Sequence, residues 1–391
     1  MKTVTRRVKE VVRGLIRPGA RARRYVAGRY SCEDFFRELA VRQVRYAVLR
    51  WFETLPVIAR GEDVDLLVAD DDLGKIDNLF VRLRSGIACD VYSVSGMPGS
   101  DFQKMAYFPP YLAEQIVARA RVIKNLYRVP AAQDHFLSLA YHALYHKGYA
   151  SGLKTVLTPA VPPKKLPDHD YRQVLHDLAV QLSVRVEIDL ESLDEYLTQQ
   201  GWRPPFDMLA RLSLRNPWIH DRYFRDGFAV DPLRRGLAVF LLRERALHPG
   251  VADEVAAELE AQGFRILLSA PLPAERQKAV ASRLRGGNWG RGPWAFSGGP
   301  PAQVIVTWDP SPLPVDRRQK AEYPLLENGR ILRAKMHLRD YLLRGLGKRQ
   351  RFNPLHSSDN DIQAWEYVEI LLPQQLDELR RKLESLHRPK A

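Results

Sequence analysis

The sequence predicts a multidomain protein of mixed α/β and α class: a small mixed sheet with helices near the start, a helical middle, and a second α/β domain at the end. Three observations predict it. Short apolar strand patterns such as RYAVLR, DVDLLV and CDVYSV crowd residues 45–94. Apolar residues then recur at helical spacing as far as Gly263, and strand-like runs return afterwards in FRILLSA and AQVIVTW. The segments that follow are a basic arm (1–30), an α/β core (31–104), a helical extension of that core (105–158), a helical middle (159–262) and a C-terminal α/β domain (263–391).

A chain of 391 residues can bury two or three cores. An apolar fraction of 45% suits a folded protein, and no run approaches the roughly 18 apolar residues of a membrane span. Two cysteines, Cys32 and Cys89, exclude a disulfide scaffold or a cysteine-rich zinc site and suit a reducing cytosol. The net charge of +14 is unevenly placed: residues 1–30 hold ten Lys or Arg and one acid, Glu10. Val4, Val8, Val11 and Leu15 recur among those charges at helical spacing, without the apolar core of a signal peptide. Such an arm can lie on an anionic membrane, approach nucleic acid or cover an acidic patch of its own protein. The lack of aromatic residues before Tyr25 speaks against nucleic acid. The expected setting is cytoplasmic, with the arm able to touch the inner face of a membrane.

CEDFFRELAVRQV predicts a helix with Phe35, Phe36 and Leu39 on its apolar side. RYAVLR and DVDLLV predict strands, DDLGKIDNLFVRLRS an amphipathic helix, and CDVYSV a further strand. Residues 108–130 and 131–151 read as helical, and PAVPPKKLPDHD as a hinge. Helices are expected in DYRQVLHDLAVQLSV, LESLDEYLTQQ, PPFDMLARLSLRNPWIHDRYF, DPLRRGLAVFLLRERAL and DEVAAELEAQG. The C-terminal domain alternates strand FRILLSA, helix ERQKAVASRLRG and strand AQVIVTW, and closes on the charged helix QQLDELRRKLESLH.

Asp63 and Asp65 stand two apart on a predicted strand and therefore project together, while Val64 and Leu66 face the core. Asp90, on a neighbouring strand, can complete a three-carboxylate cluster, and Gly61 precedes it in a loop whose amides could approach a phosphate. Three such charges need a cation, and hard oxygen donors suit Mg²⁺ or Mn²⁺. The plainer alternative is a strand whose acids sit at an exposed edge; a degenerate site is another. Arg50 ends the preceding strand within reach of phosphates, and Asp70, Asp71 and Asp72 read as a helix N-terminus. His142 and His146 have an i, i+4 spacing, with His135 seven residues before, but HALYH lacks the Glu of HExxH and reads as a packed or substrate-facing helix.

Gly61, Asp63, Asp65 and Asp90 resemble the nucleotidyltransferase superfamily, with its glycine-led turn, Asp-x-Asp strand and later third acid. The resemblance covers residues 31–155 and implies a Mg²⁺-dependent transferase using an NTP substrate. ARGED lacks the serine that the family carries at the turn, so either Arg60 and the loop amides replace it or nucleotide binding is weakened or lost.

Near the other end, NPLHSSD sets Asn353 three residues before His356, followed by a cap, Ser358 or Asp359, for an amphipathic helix. Lys335 and Arg339 share one helical face upstream. This loop resembles that of nucleoside diphosphate kinases, with Ser357 in place of their glycine. The resemblance implies a ferredoxin-like fold in which His356 accepts a phosphoryl group, Asn353 contacts ribose or phosphate, Ser358 supports it and Arg339 matches an upstream arginine. A non-covalent phosphate site and a structural cap are the alternatives. GGNWGRGPWAFSGGPP, with Arg291, lacks the Gly-Lys-Ser/Thr ending of a P-loop and reads as a binding loop or a surface connection.

Together these readings lead to a nucleotidyl or phosphoryl transferase whose partners are a nucleotide and a phosphorylated small molecule. The acceptor would be a sugar, a sugar phosphate or a cell-surface glycan precursor. An RNA- or protein-directed transferase and a non-catalytic phosphate-binding protein are the alternatives.

Overall fold

The structure, a computed structural model, describes residues 22–59, 61–81, 86–157, 169–225, 231–281, 283–284 and 297–387. Most of the basic arm, Arg60, the hinge up to residue 168, and the glycine- and tryptophan-rich loop up to residue 296 with Arg291 lie outside the described residues. The architecture is multidomain, with a mixed sheet and helices first, helices next, and a sheet with helices last. Two compact units account for it: one runs to Phe224 except for Pro205–Asp207, and the second takes those three residues and Arg225 onward.

In the first unit, β1 (Arg23–Val26), β2 (Tyr46–Val48), β3 (Val64–Val68), β4 (Phe80–Val81) and β5 (Ala88–Ser93) form a sheet in the order β2-β3-β5-β1-β4. Only β3 and β5 run parallel; the other pairs are antiparallel. Strand alternation sends Val48, Val64, Leu66 and Val91 to one face, against Phe35, Phe36 and Leu39 of α1 (Cys32–Val41). Each buried phenylalanine there contributes about 1.5–3 kcal/mol. Helix α1 starts at a capping box in which Ser31 and Asp34 each accept from the other's backbone N–H. Ala47, Leu67 and Tyr92 point to the other face and join the core of α2 (Pro110–Ala118), α3 (Ala132–Tyr141), α4 (Tyr171–Gln181), α5 (Leu190–Gln199), α6 (Phe206–Ser213) and α7 (Pro217–Tyr223).

Three expectations are corrected here. Strand β1 arises where only a basic arm was predicted. DDLGKIDNLFVRLRS is not a continuous helix: a single turn, Leu73–Ile76, gives way to β4, because Phe80 pairs with Val26 in the sheet. Residues 108–130 are helical only to Ala118; β6 (Arg121–Ile123) and β7 (Tyr127–Val129) follow as a hairpin. Lys124 (φ 46°) and Asn125 (φ 53°) supply the two positive φ angles of a tight hairpin turn.

In the second unit, β8 (Leu237–Arg243), β9 (Arg265–Pro271), β10 (Pro301–Trp308) and β11 (Leu355–Ser357) form an antiparallel sheet in the order β11-β8-β10-β9. Helices α8 (Val251–Ala261) and α10 (Gly329–Leu342) cover one face, and α9 (Ala274–Ala281), α11 (Asp361–Leu371) and α12 (Leu376–His387) the other. LAVFLLR, expected as helix, is therefore a strand buried on both sides, and residues 225–262 belong with this unit rather than with a helical middle. No described helix is long and apolar enough to cross a membrane.

Candidate functional site

Sheet register builds the first site. Parallel pairing sets Asp65 on β3 opposite Asp90 on β5, and antiparallel pairing sets Arg23 on β1 opposite the same Asp90. Asp63, just ahead of β3, lies two residues before Asp65 and on its side. The three predicted acids thus share one face, together with an arginine that sequence reading missed. Arg23 donates from Nη2 to Asp90 Oδ2 at 3.1 Å, from Nε to Asp90 Oδ1, and from Nη2 to Asp63 Oδ2. Arg50, just past β2, pairs Nη2 with Asp65 Oδ2 at 2.8 Å.

Behind Arg50 runs a buried polar chain. Its Nη1 donates to the Tyr107 hydroxyl at 3.0 Å, which lies 2.6 Å from His142 Nδ1, while His142 Nε2 is 3.3 Å from the Tyr171 hydroxyl. Burial holds the His142 imidazole well below its ordinary pKa, with the Arg50 charge adding to the effect. Burial also pushes the Asp65 carboxyl up to about 7 against the pull of Arg50, with Asp63 and Asp90 raising it further. Asp63 is raised by burial and by Asp90. Three carboxylates face two guanidiniums here.

Carboxylates on one face are a suitable donor set for a hard divalent cation. As folded, though, no group of three or more His, Cys, Asp or Glu among the described residues is disposed to hold a metal ion. The guanidinium of Arg23 stands between Asp63 and Asp90 instead.

Residues 49–59 and 61–63 form the rim. Trp51 adopts φ 54° and stacks on His169 at 3.9 Å between ring centroids; Gly61 turns the chain at φ 97°, where a side chain would be strained. A cavity of about 260 Å³ opens beside Asp63, lined by Arg50, Trp51, Ile58, Glu62, Val64 and His169 among others.

His142 and His146 fall in a π-helical segment, His142–Lys147, continuing from α3. Such wide turns leave carbonyls to be satisfied from outside. The side chain of Asn216 does so, donating from Nδ2 to Leu144 O at 2.9 Å and Tyr145 O at 3.0 Å while its Oδ1 caps α7 at Trp218 and Ile219. His135 packs on Phe52, and burial lowers its pKa to about 4.

In the second unit His356 sits on β11, with Nε2 2.9 Å from the Tyr367 hydroxyl on α11. Burial keeps this imidazole well below its ordinary pKa, and the charges of Lys335, Arg243 and Arg339 push the same way. Arg243, at the end of the apolar run LAVFLLR, is the member that sequence reading missed. Lys335 pairs with Asp359 at 3.3 Å, and Arg339 donates from Nε and Nη2 to Leu355 O at 3.1 and 3.0 Å. Asn353 keeps a buried side-chain oxygen with no hydrogen-bond partner among the described residues.

Ser358 is not a cap: it exchanges bonds with Val239 across the sheet, its Oγ accepting at 3.1 Å and its N–H donating at 2.9 Å. Asn360 caps α11, accepting from Gln363 N–H. His356 therefore precedes the helix by a strand end and a turn rather than abutting its N-terminus. Comparisons with protein-family models, with curated proteins and with solved structures find no match to this chain.

Proposed function

We propose that the first unit is a Mg²⁺-dependent nucleotidyl or phosphoryl transferase acting on a sugar, a sugar phosphate or a glycan precursor. The observation that carries this reading is the placement of Asp63, Asp65 and Asp90 on one sheet face beside a cavity. Asp63, Asp65 and Asp90 are the residues that would hold the ion. When bound, the ion would neutralise phosphate charge and lower the pKa of an acceptor hydroxyl. Arg50 braces Asp65 from behind and is itself braced by Tyr107, so the deepest carboxylate keeps a fixed orientation. Asp90, whose Oδ2 lies 3.4 Å from the Tyr92 hydroxyl, is the group assigned to receive the acceptor proton. The cavity beside Asp63, with Arg50, Trp51 and His169 in its lining, offers space for part of a substrate next to the carboxylates.

The test is pyrophosphate release with Mg²⁺ and each of the four NTPs against a panel of sugars and sugar phosphates. Asp63→Asn with Asp65→Asn should lower turnover at least about 100-fold. Turnover unchanged by that pair would remove the assignment. No turnover by the native chain with any NTP would favour the non-catalytic alternative, to which the Arg23 contacts also lend support.

A further inference from the structure

We infer that Arg23 is an exchangeable internal cation that closes the aspartate site, and that a divalent ion enters only as its side chain leaves. The inference rests on the metal reading above and adds a control to it. The two arginines differ in access: the Arg23 side chain is 40% exposed and that of Arg50 10%. Arg50 is committed to the buried Asp65 and to Tyr107, whereas Arg23 spans Asp63 and Asp90 at the open end.

Charge points the same way. With Asp65 matched by Arg50, the pair Asp63 and Asp90 presents two negative charges to the single positive charge of Arg23. A divalent ion matches both; a guanidinium leaves one over.

The exchange needs no movement of β1. Val91 N–H donates to Ala22 O, and Val26 N–H to Ile87 O, both at 2.9 Å, on either side of Arg23. The adjacent Arg24 holds the strand independently, pairing with Asp77 at 2.9 Å and donating to Ser100 Oγ at 2.7 Å. A rotation of the Arg23 side chain alone opens the site. In sequence, β1 lies within the basic arm, so whatever binds residues 1–21 acts close to this side chain.

The experiment titrates the full chain with Mn²⁺ alone, read by calorimetry and by the paramagnetic resonance of free Mn²⁺. Arg23→Gln should bind at least about tenfold tighter than the native chain. Arg23→Lys, which keeps a charge and loses the fork, should fall between them. Equal affinity in all three would overturn the exchange while leaving the metal reading standing. No binding by any of them at millimolar Mn²⁺ would remove both. Arg23→Gln carrying Asp63→Asn and Asp90→Asn should lose the gain; if it binds as tightly as Arg23→Gln, the ion lies elsewhere and the inference fails. If Arg23→Gln unfolds easily without metal, Mn²⁺ should raise its melting temperature more than that of the native chain. An equal or smaller rise would count against exchange.

Discussion

The aspartate face of the first unit and the His356 cluster of the second are opposite in sign and in access. At the first, three carboxylates meet two guanidiniums, and the outer partners stay within reach of water: Asp63 keeps 24% of its side-chain surface. In the second, Arg243, Lys335 and Arg339 crowd a neutral imidazole, and Asp359 is the carboxylate paired with Lys335. His356 keeps only 8% of its surface and Lys335 6%. A buried ion pair is destroyed by losing one member, whereas a crowd of like charges is relieved by it. The first cluster can therefore trade partners at its mouth, while the second is held by its fold.

The strongest way to break this contrast is Arg50→Ala. It leaves Asp65 buried beside two other carboxylates, and should cost the first unit about 3–5 kcal/mol in urea unfolding. Asp65→Asn in the same chain should restore part of it. A loss below about 1 kcal/mol would mean that Asp65 takes up a proton instead of needing Arg50.

Acid sharpens the second half. The folded pKa of His356 lies well below its ordinary 6.5, so the unfolded chain takes up the proton first. The stability this contributes is present above pH 6.5 and is lost as pH falls below it. Between pH 7 and 5 His356 alone should cost the second unit up to about 2 kcal/mol, offset in part by Asp361, whose carboxyl is pushed up to about 6 by burial, and His356→Gln should remove the loss. The smallest effect is expected from Lys335→Met. Removing one cation from the crowd, with a side chain of similar volume, should stabilise the second unit by about 0.5–1 kcal/mol; a loss of 2 would place Lys335 with Arg50 as an essential partner.

The acids of the first site were legible because two residues on a strand share a face whatever the tertiary structure, and Asp90 sits on a strand with its own apolar signature. Arg23 was not. RRYV carries two charges in four residues, follows a run with helical spacing, and becomes a strand only through pairing with β4 and β5. LAVFLLR failed for the opposite reason: a strand covered on both faces has no alternation, so it merges with adjoining helical patterns. The cap of α11 was misplaced because Ser358, Asp359 and Asn360 all suit the role, and sheet pairing by Ser358 decides among them. The hairpin at Lys124 and Asn125 rests on left-handed residues without glycine, which leaves a faint local signal.

Asn216 has a kinetic consequence. One carboxamide closes the widened turn after α3 and opens α7, although the residues it joins stand 71 and 72 apart in sequence on one side and two and three on the other. Gly148, at φ 54°, is kept without a side chain because a Cβ there would meet that same carboxamide. The amides of Trp218 and Ile219 thus donate to a carboxamide that is itself anchored on the widened turn. Their exchange with solvent is expected to be coupled to the opening of the segment that carries His142, and equal protection of the two stretches in hydrogen exchange would check it.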